Sequence, residues 1–199
     1  MQEIFATRAR TADGWQNNVS VRVLDGTIAD VTPDTTPATG SVRVDTLLPA
    51  LSNLHSHSFQ RAMAGMTEVR APGKDSFWTW RSLMYRFLDH LTPEHYQAIA
   101  ALVFMEMQEA GYAAVAEFHY VHHQPGGVPY SDIAELSRRV LAAAGETGIG
   151  LTHLPVLYSY GGAGRQALSG GQLRFANSVE RYGDLVSALR KSDLPADTR

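Results

Sequence analysis

Cysteine is absent from the 199 residues, which excludes disulfides, thiolate metal sites and cysteine nucleophiles from them. Any metal held here must use His, Asp or Glu. Long apolar runs are missing too, since nothing approaches the roughly 18–20 consecutive residues needed to span a bilayer. The first ten residues, MQEIFATRAR, lack a basic segment followed by an apolar one, so no secretory signal is read and a cytoplasmic setting is the default expectation. There is no run of five or more like charges, and 17 Lys+Arg against 20 Asp+Glu leave a net charge of −3. Nucleic acid and membrane are therefore not expected as partners. What is present, 44% hydrophobic and 19% charged residues, is the composition of a chain able to build a core.

The first 45 residues read as strands and turns. Val19, Val21 and Val23 alternate before Asp25-Gly26, with Ile28 and Val31 beyond; such a pair between two alternating runs predicts a hairpin, because both turn residues must tolerate positive φ. A polar stretch over 32–41 precedes Val42 and Val44. Residues 1–45 are expected to form a small β subdomain, and residues 46–199 a second unit.

Leu47, Leu48, Ala50, Leu51 and Leu54 then form a nearly continuous apolar run, as expected of a strand buried on both faces. It ends at His55-Ser56-His57. An aromatic-rich helix is predicted over 76–90, and Thr92-Pro93-Glu94 opens another with an N-cap, a first-turn proline and an acid. Tyr96, Ile99, Ala100, Val103, Met107 and Ala110 carry its apolar face and Gly111 its C-terminal stop. A strand over 113–118, a helix capped by Ser131, a strand over 149–156, a Gly/Ser-rich loop over 157–173 and a last helix from Val179 to Leu189 complete the pattern. Alternating strands and helices imply an α/β fold with parallel strands, as in doubly wound sheets and (β/α)8 barrels. The closing segment, KSDLPADTR, reads as a polar loop.

Successive strand side chains point to opposite faces, so His55 and His57 project to one side and both reach a single ion about 2.0–2.1 Å from each ring nitrogen. The carboxyl end of a parallel strand is also where barrel enzymes place their chemistry. The plain alternative is a chance pair in a loop. Two imidazoles leave a zinc site incomplete, because a catalytic ion takes at least three protein ligands and a water. Among the other histidines, His90 and His95 read as surface or capping residues, His119 as an active-site candidate, His122 and His123 as solvated, and His153 as a buried, hydrogen-bonded structural residue.

The segment LPALSNLHSHSFQRAMAG (48–65) resembles the first-strand signature of the amidohydrolase superfamily. Together with DSFWTWRSLMY (75–85), AVAEFHYVHH (114–123) and LPVLYSYGGAG (154–164), it resembles the formimidoylglutamate deiminase family. That resemblance implies a β-sandwich beside a (β/α)8 barrel, and hydrolysis of N-formimino-L-glutamate to N-formyl-L-glutamate and ammonia in histidine degradation. It implies one divalent metal, zinc first and iron second, with His55 and His57 as two of its ligands. Substrate-contacting roles fall on Gln60, Arg81 and Tyr120, which suits their chemistry: a guanidinium forks onto a carboxylate, and an amide or phenol orients other polar groups. The plain alternatives are that Gln60 caps the turn, that Arg81 stacks on Trp78, Trp80 or Tyr85, and that Tyr120 is core. The family's remaining metal ligands and its proton-shuttling residues come from later strands, so no catalytic acid or base is expected within these residues.

Eight barrel units need about 200–250 residues or more, whereas about 154 follow the β subdomain, enough for the first three. The expectation is an N-terminal fragment of such an enzyme, inactive alone. A guanine- or adenosine-type deaminase, or a non-catalytic remnant of a barrel, are the competing readings, and a homo-oligomer is left open.

Overall fold

The computed structural model describes residues 1–66, 77–195 and 197–199, with backbone only at 77 and 78. Stacking of Arg81 on Trp78 therefore lies outside the described residues. The chain divides into two units, Met1–Ala50 and Leu51–Arg199.

The first unit is a four-stranded sheet in the order β3-β2-β1-β4, built from β1 (Gln2–Thr11), β2 (Gly14–Leu24), β3 (Thr27–Thr32) and β4 (Val42–Leu47). Asp25 and Gly26 both adopt positive φ, 48° and 78°, and close the β2–β3 hairpin as their sequence predicts. Ala6 on β1 lies opposite Val19 of antiparallel β2 and Val44 of parallel β4. With Ala9 and Val21 buried beside Ala6 and Val19, these residues form a small apolar centre.

The second unit is α/β. Its three-stranded parallel sheet runs β5-β6-β7, from β5 (Leu51–Ser56), β6 (Tyr112–His119) and β7 (Gly150–Pro155). Helices α1 (Phe77–Leu88) and α2 (Pro93–Glu109) connect β5 to β6, α3 (Glu135–Thr147) connects β6 to β7, and α4 (Val179–Arg190) follows. Short 3-10 helices sit after β5 (Ser58–Met63), after β6 (Pro125–Gly127) and before α4 (Gly170–Phe175). Helix α2 buries Tyr96, Ala100, Val103 and Phe104 at helical spacing against Val115 and Leu151 of the sheet and Leu136, Val140 and Ala144 of α3. Thr92 and His95 cap it reciprocally, so His95 has the capping role expected of it.

Several expectations change. The apolar run over 47–54 is not one strand buried on both faces: β4 ends at Leu47, β5 starts at Leu51, and Leu51 and Leu54 are exposed. Strand β5 is an edge of the described sheet, with no further described strand beside it to shield these side chains. Ser131 does not cap α3; the helix starts at Glu135, and the Asp132 carboxylate accepts the Ala134 N–H at 2.9 Å instead. The closing polar residues are a loop as read, but one tied to β7 through its backbone. Leu151 N–H donates to the Asp197 carbonyl at 3.0 Å, and Arg199 N–H to the Leu151 carbonyl at 2.9 Å, because an edge strand leaves a row of backbone groups open to pairing whatever the side chains beside it.

Arg174 is fully buried. Its guanidinium donates to the carbonyls of His123 (2.7 Å), Leu91 (3.1 Å) and Leu88, tying the end of α1 to the loop after β6. Burial holds its pKa below the usual value. Arg174→Met keeps the volume and orphans buried acceptors, so it is expected to lower stability by roughly 2–4 kcal/mol. Urea unfolding reads this directly, and a midpoint equal to that of the unaltered chain would refute it.

Candidate metal and substrate site

Parity along β5 and β6 sorts the chemistry onto two faces. Val115, Glu117 and His119 of β6 turn towards the helices and are buried, His119 against Tyr96 of α2 with ring centroids 5.4 Å apart. Phe118 and Tyr120 take the opposite face and meet the histidine pair, at 4.8 Å from the His55 ring and 5.2 Å from the His57 ring.

On that face the two imidazoles converge, with Nε2 of His55 3.0 Å from Nε2 of His57. Nδ1 of His57 lies 3.0 Å from the Phe118 carbonyl. That carbonyl can only accept, so Nδ1 carries the proton and the Nε2 lone pair is left for a metal. A hydrogen bond from the His55 N–H to the Asn53 side chain at 3.1 Å steadies the end of the strand. This donor set fits a divalent ion as far as it goes, with two imidazoles aimed at one point and one of them locked in the ligating tautomer. Among the described residues no group of three His, Asp or Glu side chains is placed to hold a metal.

Beneath the pair, sequence reasoning missed a residue. The Glu117 carboxylate is buried and accepts both the Ser58 N–H (2.7 Å) and the Ser58 hydroxyl (2.8 Å) through one oxygen, clamping the turn that follows His57 to β6. Desolvation raises its pKa, while hydrogen bonds from Ser56 and Ser58 oppose the rise. An acid inside an otherwise apolar strand segment, Ala113–Phe118, was the signal available.

The three residues given substrate-contacting roles are distributed around the pair. Tyr120 is half-buried and bridges the His57 ring to that of Tyr158, 6.2 Å away. Arg81, on α1, donates from Nε to the Tyr85 hydroxyl at 2.8 Å and places Nη2 3.5 Å from the Tyr158 hydroxyl; the Tyr85 hydrogen bond raises its pKa further. Its guanidinium also lies 5.3 Å from the Tyr85 ring centre, so the stacking alternative is partly realised. Gln60 leans towards the same helix, its amide 3.8 Å from the Met84 sulfur. The carboxyl ends of all three parallel strands thus contribute: His55, His57 and Gln60 after β5, Tyr120 after β6, Tyr158 after β7.

The remaining histidines lie elsewhere. His119 is not at the pair but on the helix face, beside His153 (4.9 Å between rings) and His122 (5.3 Å). His122 and His123 are buried rather than solvated, because their Nε2 atoms bond the Val156 carbonyl at 3.0 Å and the Ala176 carbonyl at 2.7 Å. His153 has both ring nitrogens shielded from solvent although part of the residue is exposed, and neither nitrogen has a hydrogen-bond partner among the described residues. Its ring nitrogens are shielded, but the residue is only half-buried and its ring is not hydrogen-bonded as expected.

Residues 1–45 match the family model described as formimidoylglutamate deiminase HutF, N-terminal domain. The formimidoylglutamate deiminase of Pseudomonas aeruginosa is 52% identical over 192 residues, which is 96% of this chain and 42% of that protein. This chain is a sequence relative of formimidoylglutamate deiminase. It spans less than half the length of that deiminase. Among solved structures, an amidohydrolase from Brucella melitensis superposes with a TM-score of 0.92 at 41% identity, covering 96% of this chain and 43% of that one. Atrazine chlorohydrolase TrzN from Arthrobacter aurescens, complexed with zinc, gives a TM-score of 0.74 at 18% identity over 100% of this chain and 45% of that one, a likeness of fold alone. No helix among the described residues is long and apolar enough to cross a membrane.

Proposed function

We propose that this chain is the amino-terminal part of a cytoplasmic, metal-dependent hydrolase that converts N-formimino-L-glutamate and water to N-formyl-L-glutamate and ammonia in histidine degradation. In this reading residues 1–45 belong to a β-sandwich and residues 46–199 are the first three units of a (β/α)8 barrel. The observation that carries it is the convergence of His55 and His57 on one point, at strand ends that also present Tyr120 and Tyr158, with Arg81 of α1 reaching the Tyr158 hydroxyl.

His55 and His57 would hold the ion, zinc first and iron second; a divalent metal supplies Lewis acidity and a nucleophilic water at neutral pH. The His57 Nδ1–H bond to the Phe118 carbonyl orients that imidazole with Nε2 towards the ion. Arg81 binds a substrate carboxylate through a charge-assisted pair, while Gln60 and Tyr120 orient the neighbouring polar groups and the Phe118 ring restricts water on the histidine side. Proton transfer to ammonia falls to none of these residues, and zinc hydrolases take a third protein ligand, so the isolated chain is expected to release no ammonia.

A chimera tests the whole reading: this chain replaces the matching segment of the Pseudomonas aeruginosa deiminase. It should hydrolyse N-formimino-L-glutamate, and Arg81→Met in it should lower kcat/KM by about 10- to 100-fold, the scale of one charged hydrogen-bonded contact. A folded, zinc-loaded chimera that prefers guanine or adenosine, or that is indifferent to Arg81, would instead favour the purine-type deaminase reading.

A further inference from the structure

We infer that Tyr158 is a substrate-contacting residue that selects for a carboxylate, donating its phenolic proton to the same group that Arg81 binds. The inference rests on the acidic-substrate reading above and adds a residue to it.

A phenol has one proton to give and lone pairs that accept. The Tyr158 hydroxyl receives the Gln172 amide N–H at 3.3 Å and faces Nη2 of Arg81 at 3.5 Å. Both neighbours are donors only towards it. Its own O–H proton therefore finds no acceptor in either, and among the described residues the hydroxyl donates to none. An oxygen surrounded by donors, with its proton directed away from them, is set up to meet an anion.

The surroundings fix that arrangement. Gln172 is buried and cannot turn: its carbonyl oxygen accepts the Ser169 N–H at 3.1 Å, and its amide also donates to the Gly161 carbonyl at 3.0 Å. The amide nitrogen thus has to face Tyr158. On the ring side, Phe175 packs edge-on at 5.5 Å and Tyr120 at 6.2 Å, so the phenol has little freedom to swing. Backbone bonds hold the loop as well, with Asn177 N–H donating to the Tyr158 carbonyl at 3.1 Å. Arg81 and Gln172, the two partners of the Tyr158 hydroxyl, border an open cleft of about 570 Å³ that Tyr158 itself does not line, which leaves room for a ligand at the guanidinium.

Location agrees with chemistry. Tyr158 follows β7 as Tyr120 follows β6 and the histidine pair ends β5, so it completes a wall running from the pair through Tyr120 to Arg81. A carboxylate docked on Arg81 would gain a second, neutral donor from Tyr158, and a neutral amide in its place would gain much less from the pair, since charge-assisted bonds are about twice as strong as neutral ones.

The test compares the 199-residue chain with its Tyr158→Phe variant, which keeps the ring and removes the proton. Glutarate and its neutral analogue glutaramide are titrated by NMR. Tyr158→Phe should weaken glutarate binding about tenfold and leave glutaramide within twofold, with an unchanged melting temperature. Glutarate affinity within twofold of the unaltered chain overturns the inference. Arg81→Met separates the two claims. If it abolishes the preference for glutarate while Tyr158→Phe does not, only the role of Tyr158 fails. If the preference survives Arg81→Met, or the unaltered chain shows none, the acidic-substrate reading fails and takes this inference with it.

Discussion

Acidification from pH 7 to pH 4 is expected to destabilise the larger unit by on the order of 3–6 kcal/mol, enough to unfold it at moderate temperature. The cause is the histidine cluster between sheet and helices. Burial lowers the His153 pKa to about 3 and the His122 pKa to about 4, and pushes His119 well down. Each ring is neutral in the folded chain over a range where the unfolded chain would protonate it near 6.5. The unfolded state binds more protons between about pH 6.5 and pH 3–4, so stability rises with pH across that window and is lost as pH falls through it. The Tyr96 hydroxyl, 3.4 Å from Nδ1 of His119, faces the cluster, as do the buried Glu117 carboxylate near Tyr96 and Arg190 and Arg199 around His153. Glu117 is the one carboxylate among these side chains, and burial raises its pKa, so it offers a new imidazolium little help. Thermal unfolding followed by circular dichroism at pH 7 and pH 4 should show a drop of roughly 10 °C or more. His153→Leu should flatten the slope; equal melting temperatures at the two pH values would show that the rings are not held neutral.

The second large effect concerns the opposite face. Replacing both His55 and His57 with alanine should remove zinc uptake, a loss exceeding the ~10–100-fold that accompanies removal of an outer-shell partner. Equilibrium dialysis with inductively coupled plasma detection reads the stoichiometry, and unchanged melting of the double variant shows that the fold survives, since His55 is exposed and His57 only half-buried. Zinc retained in full by the double variant would mean that the ion sits on other donors, and the chain would read better as a non-catalytic relative of the barrel enzymes.

The alternation that made the pattern α/β was visible in the sequence because each helix carries its own apolar stripe and each strand its own short run. The Asp25-Gly26 hairpin and the Thr92 cap were legible for the same reason: both are settled by neighbours within a few residues. The convergence of His55 and His57 could be read because two-residue spacing at a strand end turns both rings to one side, even with His57 just past the last residue of β5. What stayed hidden depends on partners far along the chain. Nothing near His122 or His123 announces that carbonyls of Val156 and Ala176 will cover them, and nothing near Leu51 or Leu54 says that β5 will lie at an edge. Tyr158 was one tyrosine in a Gly/Ser-rich loop until Gln172 and Arg81 met at its hydroxyl.

Arg174 gives that distance a kinetic meaning. The carbonyls it gathers at the end of α1 lie 86 and 83 residues earlier, so this tie on α1 forms only once the chain through Arg174 has been made and brought back. Closing so long a loop is among the slower steps open to a chain of this size. The guanidinium of Arg81 rides on α1, so the corner proposed to bind an anion should be the last part of the unit to take shape, and the first whose amides exchange with solvent when Arg174 is lost.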